Sequence, residues 1–241
     1  KYLNEAFDSN WIAPLGPHVD AFEKEISEYL DIGYGAALSS GTAALHLALL
    51  STGIKKNDLV LVSDLTFIAS VNVIRYVNAE PILIDASQNS WQIDVKILEN
   101  FLEQNCYLKG KHCYLKKNKK RVFALLAVHI LGYAANISKI KFLCKKFKLK
   151  LIEDAAESLG AKYNSKYIGT FGEAGCFSFN GNKTITTGSG GMLVTNSKNI
   201  ARLAKHLSQQ AKSNNHQLSH NMIGYNYRMS NIHAALGLAQ L

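Results

Sequence analysis

From Pro17 the apolar residues Val19, Phe22, Ile26 and Leu30 recur at helical spacing with charged residues between them, which predicts an amphipathic helix. Further along, short apolar runs at Leu59–Val62, Pro81–Ile84, Val122–Val128 and Leu149–Ile152 read as strands. Between them, Phe67–Tyr76, Asp94–Gln104 and Ile137–Phe147 carry the helical period. Strands that alternate with helices of this length predict an α/β fold whose mostly parallel sheet is covered on both faces. Ligands of such sheets bind beyond the carboxyl ends of the strands. Lys1–Asn10 reads as the end of a helix, Trp11–Gly16 as an irregular bridge, and a further helix is expected from about Asn231.

Two stretches depart from this rhythm. Ser39-Ser40-Gly41-Thr42 is a small polar turn that opens a run so rich in Ala and Leu that it reads as a buried helix, and the start of a helix presents unpaired N–H groups suited to a phosphate. Phe177-Ser178-Phe179 reads as a buried strand that delivers Asn180, Gly181, Asn182 and Lys183 into a polar, glycine-rich turn, which Met192-Leu193-Val194 leaves.

Composition narrows the class. A chain of 241 residues, 47% hydrophobic and 19% charged, can bury a sizeable core and is expected to form a single domain. No apolar run reaches the roughly 20 residues of a membrane span, so the expected location is cytoplasmic, with no membrane partner. Cys106, Cys113, Cys144 and Cys176 lack metal-ligand spacing, so reduced, mostly buried thiols are expected and no metal site. The net charge is +9, and seven basic residues with no acid lie between Asn105 and Arg121. That concentration reads as one solvated loop between a helix and a strand, not as a nucleic-acid-binding face.

Candidate chemistry sits at the predicted strand ends. Glu153-Asp154-Ala155-Ala156-Glu157 follows one of them, and an acid at a buried strand end needs a cation to offset its desolvation. Phe67 stands near the rim beyond another, and His129 beyond a third, where a core or supporting role is expected for the histidine. Each feature alone has a structural explanation: Lys183 could reach solvent, Asp154 could cap a turn, Phe67 could pack in the core, and Ser40 could merely cap a helix. Together, a helix start for a phosphate, an aromatic plane, an acid for a ring nitrogen and a lysine for an aldehyde match pyridoxal 5′-phosphate.

With Ser40-Gly41-Thr42-Ala43-Ala44-Leu45, Glu153-Asp154-Ala155-Ala156-Glu157 and Phe177 through Gly191, the chain resembles the DegT/DnrJ/EryC1/StrS family of sugar aminotransferases over essentially its whole length. Ile12-Ala13-Pro14-Leu15-Gly16 and Asn180-Gly181-Asn182-Lys183 are most similar to the branch acting on UDP-linked 4-keto-6-deoxy-N-acetylhexosamines. The resemblance implies an aspartate-aminotransferase-like (type I) large domain that binds pyridoxal phosphate, Lys183 as the residue that holds the cofactor aldehyde and moves protons, and Asp154 as the partner of the pyridine nitrogen. It further implies that Gly41, Thr42, Ala43 and Ser178 hold the phosphate, that Phe67 stacks on the ring, and that Asn180 and Glu157 lie beside the cofactor. Gly224-Tyr225-Asn226-Tyr227-Arg228-Met229-Ser230 resembles a segment that crosses a homodimer interface, with Asn226 reaching the neighbour's phosphate. Glutamate is the implied amino donor and a nucleotide-linked sugar the acceptor. Relatives continue past the helix near Asn231 into a smaller C-terminal domain, so residues 1–241 are expected to be the large domain of a longer enzyme. Two other readings stand beside this one. A sugar dehydratase of the same lineage would carry histidine where this chain has Lys183, and a non-catalytic sugar-nucleotide binder or regulator would not need an intact site.

Overall fold

Leu59–Ser63 is buried at all five positions, as a strand sandwiched between helical layers must be. A computed structural model describes residues 1–213 and 219–241. Helices α1 (Tyr2–Asp8) and α2 (Pro17–Tyr29) lead to strand β1 (Tyr34–Leu38) and helix α3 (Gly41–Thr52). Next come β2 (Leu59–Ser63), α4 (Ile68–Tyr76), β3 (Glu80–Ile84) and α5 (Val95–Asn105). A hairpin of β4 (Cys106–Lys109) and β5 (His112–Leu115) precedes β6 (Arg121–Val128), α6 (Ile137–Phe147) and β7 (Lys150–Asp154). After a small hairpin, β8 (Lys162–Tyr163) with β9 (Lys166–Tyr167), the chain ends with β10 (Ala174–Ser178), β11 (Gly191–Thr195), α7 (Lys198–Ser208) and α8 (Asn231–Leu238).

The main sheet runs β1-β11-β10-β7-β6-β2-β3. β11 is antiparallel to both of its neighbours, and the pairs from β10 through β3 are parallel. The α/β expectation holds, with β1 and α7 as elements beyond those the alternation predicts. β1 is hard to see in sequence because Gly35, Ala36 and Ala37 carry little β preference, and its place is fixed by pairing with β11. α3, α4 and α7 cover one face of the sheet, and α5 and α6 cover the other through Leu98, Leu102, Ile140 and Phe147. α3 is buried from Ala43 through Leu49, which accounts for its Ala/Leu composition. Ser40 caps it, the side-chain oxygen accepting the Ala43 N–H at 3.0 Å, and Gly53 ends it in the left-handed conformation (φ 94°).

The basic stretch is a loop only in part, at residues 116–120 between β5 and β6. Residues 106–115 form an antiparallel hairpin that extends the sheet from the first residues of β6, through Cys113 opposite Val122 and Tyr114 opposite Arg121. The lysines conceal the strand pattern: Cys106 and Cys113 turn into the core while the charged residues at the turn face solvent. All four cysteines are buried.

Candidate active site

The carboxyl ends of β2, β6, β7 and β10 open into one cavity of about 720 Å³. It lies where the chain, having built β3 outward from β2, returns to β2's other side as β6; such a reversal in strand order leaves a crevice between the outgoing loops. Ser40, Gly41 and Thr42 at the start of α3, Phe67, His129, Asp154, Glu157, Ser178, Asn180 and Lys183 all line it.

At one end lies a cradle for an anion. Ser40 takes the Ala43 N–H, and the carbonyl of Ser40 accepts the Ala44 N–H at 3.1 Å, leaving the N–H groups of Gly41 and Thr42 as the unpaired donors of this turn among the described residues. The Ser178 side chain faces Gly41 so closely that a Cβ at Gly41 would stand 2.8 Å from the Cβ of Ser178. Gly191 permits an equally close approach from the other strand, since a Cβ there would meet the Ser40 carbonyl at 2.4 Å. A helix N-terminus with free donors, a serine hydroxyl and room kept by glycine suits a phosphate.

Asp154 is the last residue of β7 and is almost wholly buried. The Ser70 hydroxyl donates to its Oδ2 at 2.7 Å, and the Ala156 N–H donates to its Oδ1 at 3.2 Å. Ser70 is held in turn by Thr66, whose hydroxyl lies 2.9 Å away. Burial pushes the Asp154 carboxyl above the usual carboxylate range, and the two hydrogen bonds with the nearby His129 and Lys183 pull it back only in part. An acid so placed is suited to a cationic ligand group.

Lys183 lies in the turn after β10, its N–H donating to the Asn180 carbonyl at 3.0 Å. Its ammonium is paired with Glu157 Oε1 at 3.2 Å, while Glu157 Oε2 accepts the Leu131 N–H at 2.9 Å. The lysine side chain is only 17% exposed, so its charge is held inside the cavity by one half-open carboxylate. Beneath the floor, His129 Nε2 lies 3.1 Å from Glu153 Oε2, both side chains being fully buried. Glu153 also accepts the N–H groups of Gly169, Phe171 and Gly172 at 2.7–3.0 Å. His129 Nδ1 accepts the Ala135 N–H at 3.2 Å, so the ring of His129 is held from both nitrogens and the residue supports the cavity it lines.

Of the expected residues, the fold brings together Gly41, Thr42, Phe67, Asp154, Glu157, Ser178, Asn180 and Lys183. Phe67 is 77% exposed at the rim, one residue before α4. Ala43 has its N–H turned to Ser40 and does not line the cavity. Asn226 also lies away from it, exposed on a strap anchored by Tyr225 and Tyr227, whose stacked rings (centroids 5.1 Å apart) pack edge-on against His46. Ser70 and Thr66 carry no sequence signal, because a serine and a threonine near a helix start are ordinary; only the folded chain sets them against Asp154.

Residues 1–241 match the DegT/DnrJ/EryC1/StrS aminotransferase family. The chain belongs to this family. It is 44% identical over 241 residues to GDP-perosamine synthase of Escherichia coli O157:H7, covering 100% of this chain and 62% of that protein. It is also 44% identical over 240 residues, covering 100% of this chain and 59% of the relative, to EpsN of Bacillus subtilis (strain 168), whose name places it with the pyridoxal phosphate-dependent aminotransferases. The crystal structure of a DegT DnrJ EryC1 StrS aminotransferase from Brucella abortus superposes with a TM-score of 0.90 at 30% identity, over 99% of this chain and 61% of that one. The chain therefore spans about three-fifths of the length of these relatives. The family and the mostly parallel sheet agree with an aspartate-aminotransferase-like large domain, and the residues of the cavity fit pyridoxal phosphate: free donors for the phosphate, a buried acid for the ring nitrogen, and an amine for the aldehyde.

Proposed function

We propose that the full-length protein transfers an amino group, with glutamate as donor, to C4 of a nucleotide-linked 4-keto-6-deoxy sugar, for the synthesis of surface glycans or other glycoconjugates. The observation that carries this reading is that Lys183 and Asp154 line the same cavity as the anion cradle at Gly41 and Thr42. Pyridoxal phosphate, when bound, supplies an aldehyde that captures amines and a protonated ring that draws electrons from the adjoining carbon. The chain's own residues have separable tasks. Gly41, Thr42 and Ser178 hold the phosphate, and Phe67 covers the ring and keeps water from it. Asp154, oriented by Ser70, holds the proton at the ring nitrogen; its buried setting strengthens that interaction. Lys183 would hold the cofactor through its aldehyde and, once free, would take up or deliver a proton at Nζ. Glu157 receives the ammonium of Lys183 whenever the lysine is free.

In this reading residues 1–241 form the cofactor-binding large domain of a cytoplasmic homodimer, and a smaller C-terminal domain completes the site. Among the described residues no helix is long and apolar enough to cross a membrane. The outward position of Asn226, apart from its own cavity, supports a role at the neighbouring subunit's phosphate. The lysine at 183 counts against the dehydratase alternative. Similarity to GDP-perosamine synthase makes a GDP-linked sugar as natural a substrate as the UDP-linked one suggested by the motifs around Pro14 and Asn182. The test is to incubate the full-length protein with pyridoxal phosphate, glutamate and a panel of GDP-, UDP- and dTDP-linked 4-keto-6-deoxy sugars, reading products by mass. An amino-sugar nucleotide that forms only with glutamate present is expected; a panel with no aminated product refutes the proposed acceptor class.

A further inference from the structure

Residues 104–152 contain twelve lysines, one arginine and no Asp or Glu, whereas the remaining 192 residues hold 14 basic and all 18 acidic side chains. In the folded protein this charge is a face, not the single loop that residues 105–121 suggest alone. Lys148, just past α6, donates its Nζ to the Gly110 carbonyl at 2.7 Å and so ties the β4–β5 turn to α6, and both pack on the same core through Cys113, Cys144 and Phe147. The acids that border the face are already paired: Asp58 with Arg121, Glu80 with Lys120, Glu99 with Lys139, Glu103 with Lys146 and Glu173 with Lys150. That leaves Lys109, Lys111, Lys117, Lys119, Lys141 and Lys145 exposed and in no ion pair among the described residues. The hairpin joins β6 at Arg121 and Val122, whereas the cavity lies beyond Val128 at the other end of that strand. Eight strand residues at about 3.3 Å each put roughly 25 Å between them, so the hairpin lysines do not serve the substrate.

We propose that this face docks the protein on a membrane surface of anionic phospholipid. The charge is carried by lysine, a strongly hydrated point charge on a flexible stem, which answers a diffuse field of headgroups rather than one shaped phosphate. The only guanidinium, that of Arg121, is committed to Asp58 through two hydrogen bonds and cannot fork a phosphate or a base. Phe142 and Leu108 stand exposed among the lysines, 55% and 44% respectively, with the Lys139 Nζ 5.3 Å from the Phe142 ring. Apolar groups ringed by lysine suit the boundary between headgroups and acyl chains. Nucleic acid fits less well: Tyr107, which could have stacked on a base, has Tyr114 on one side and the Lys119 ammonium over its ring at 5.5 Å. The docking is independent of the reaction assigned above.

The experiment is co-sedimentation of the full-length, cofactor-loaded protein with vesicles of phosphatidylcholine alone or with about one-third phosphatidylglycerol. Binding is expected only to the anionic vesicles at about 0.1 M salt, and is expected to vanish near 1 M, where the Debye length falls from about 10 Å to about 3 Å. A variant with Lys109→Glu, Lys111→Glu, Lys117→Glu and Lys145→Glu is expected to bind at least about tenfold more weakly and to keep wild-type turnover. Equal binding to neutral vesicles, no binding to anionic ones, or a variant that binds as well as wild type overturns the proposal. So does tighter binding to a single-stranded oligonucleotide than to the anionic vesicles, which assigns the face to nucleic acid.

Discussion

Replacing Lys183 with alanine is expected to lower turnover at least about 10³-fold while the protein still folds and still binds pyridoxal phosphate without a covalent link. General acid–base transfer alone supplies roughly 10²–10⁴-fold, and the same amine also anchors the aldehyde. The fold should tolerate the change because the partner left behind, Glu157, is 38% exposed and keeps its hydrogen bond from Leu131. Lys183→Arg provides a control. It preserves a cation for Glu157, yet a guanidinium does not give up its proton in proteins, so it should be as inactive as alanine. Steady-state kinetics beside a cofactor titration separate the two effects. An active alanine variant would remove Lys183 from the mechanism, and an arginine variant with near-normal turnover would reduce its role to that of a positive charge.

Asp154→Asn should act in opposite directions on activity and on stability. The amide cannot hold a proton at the ring nitrogen, and turnover is expected to fall by about 10² or more, as when a preorganised charge partner is removed. Stability of the cofactor-free protein is expected to rise. Burial raises the Asp154 carboxyl above its unfolded value, so the folded state holds the proton more tightly than the unfolded chain does. The associated stability is present below the ordinary carboxylate range and is lost as pH climbs from there through the raised folded value. Asparagine carries no such proton and can still accept one hydrogen bond and donate to Ser70 Oγ. Thermal melts of the apo proteins at neutral pH should show a higher midpoint for Asp154→Asn, and the gap should shrink as pH is lowered. A lower midpoint at neutral pH would mean that the carboxylate stabilises the empty site and would undermine the case for a cationic ligand group beside it.

Much of the frame was legible because local pattern and tertiary need agree. Leu59–Val62 and Val122–Val128 are buried on both faces, so their apolar runs could be read directly as central strands. Ser40 could be read as a cap and Gly41 as the start of a helix because capping is local chemistry. β1 was less legible, since Gly35 and its neighbours are small for reasons set by distant partners: a Cβ at Gly35 would lie 3.0 Å from the Glu23 carbonyl. In β4 and β5, lysines around the turn mask the inward cysteines, and the α6 lysines join that charge only in three dimensions. Within the site, Lys183, Asp154 and the Gly41 turn announce themselves by being polar at the ends of apolar runs. Ser70 does not, because its hydrogen bond to Asp154 spans 84 residues of sequence. The pairing of Glu157 with Lys183, 26 residues apart, likewise follows from two strand ends meeting at one cavity and from no local signal.

The most direct test is borohydride reduction of the full-length protein loaded with pyridoxal phosphate, followed by peptide mass mapping. The peptide carrying Lys183 should gain the mass of one reduced cofactor, and preincubation with glutamate should prevent the gain by releasing the lysine. A cofactor mass on a different lysine, or on none, would contradict the assignment of Lys183 and with it the proposed transaminase.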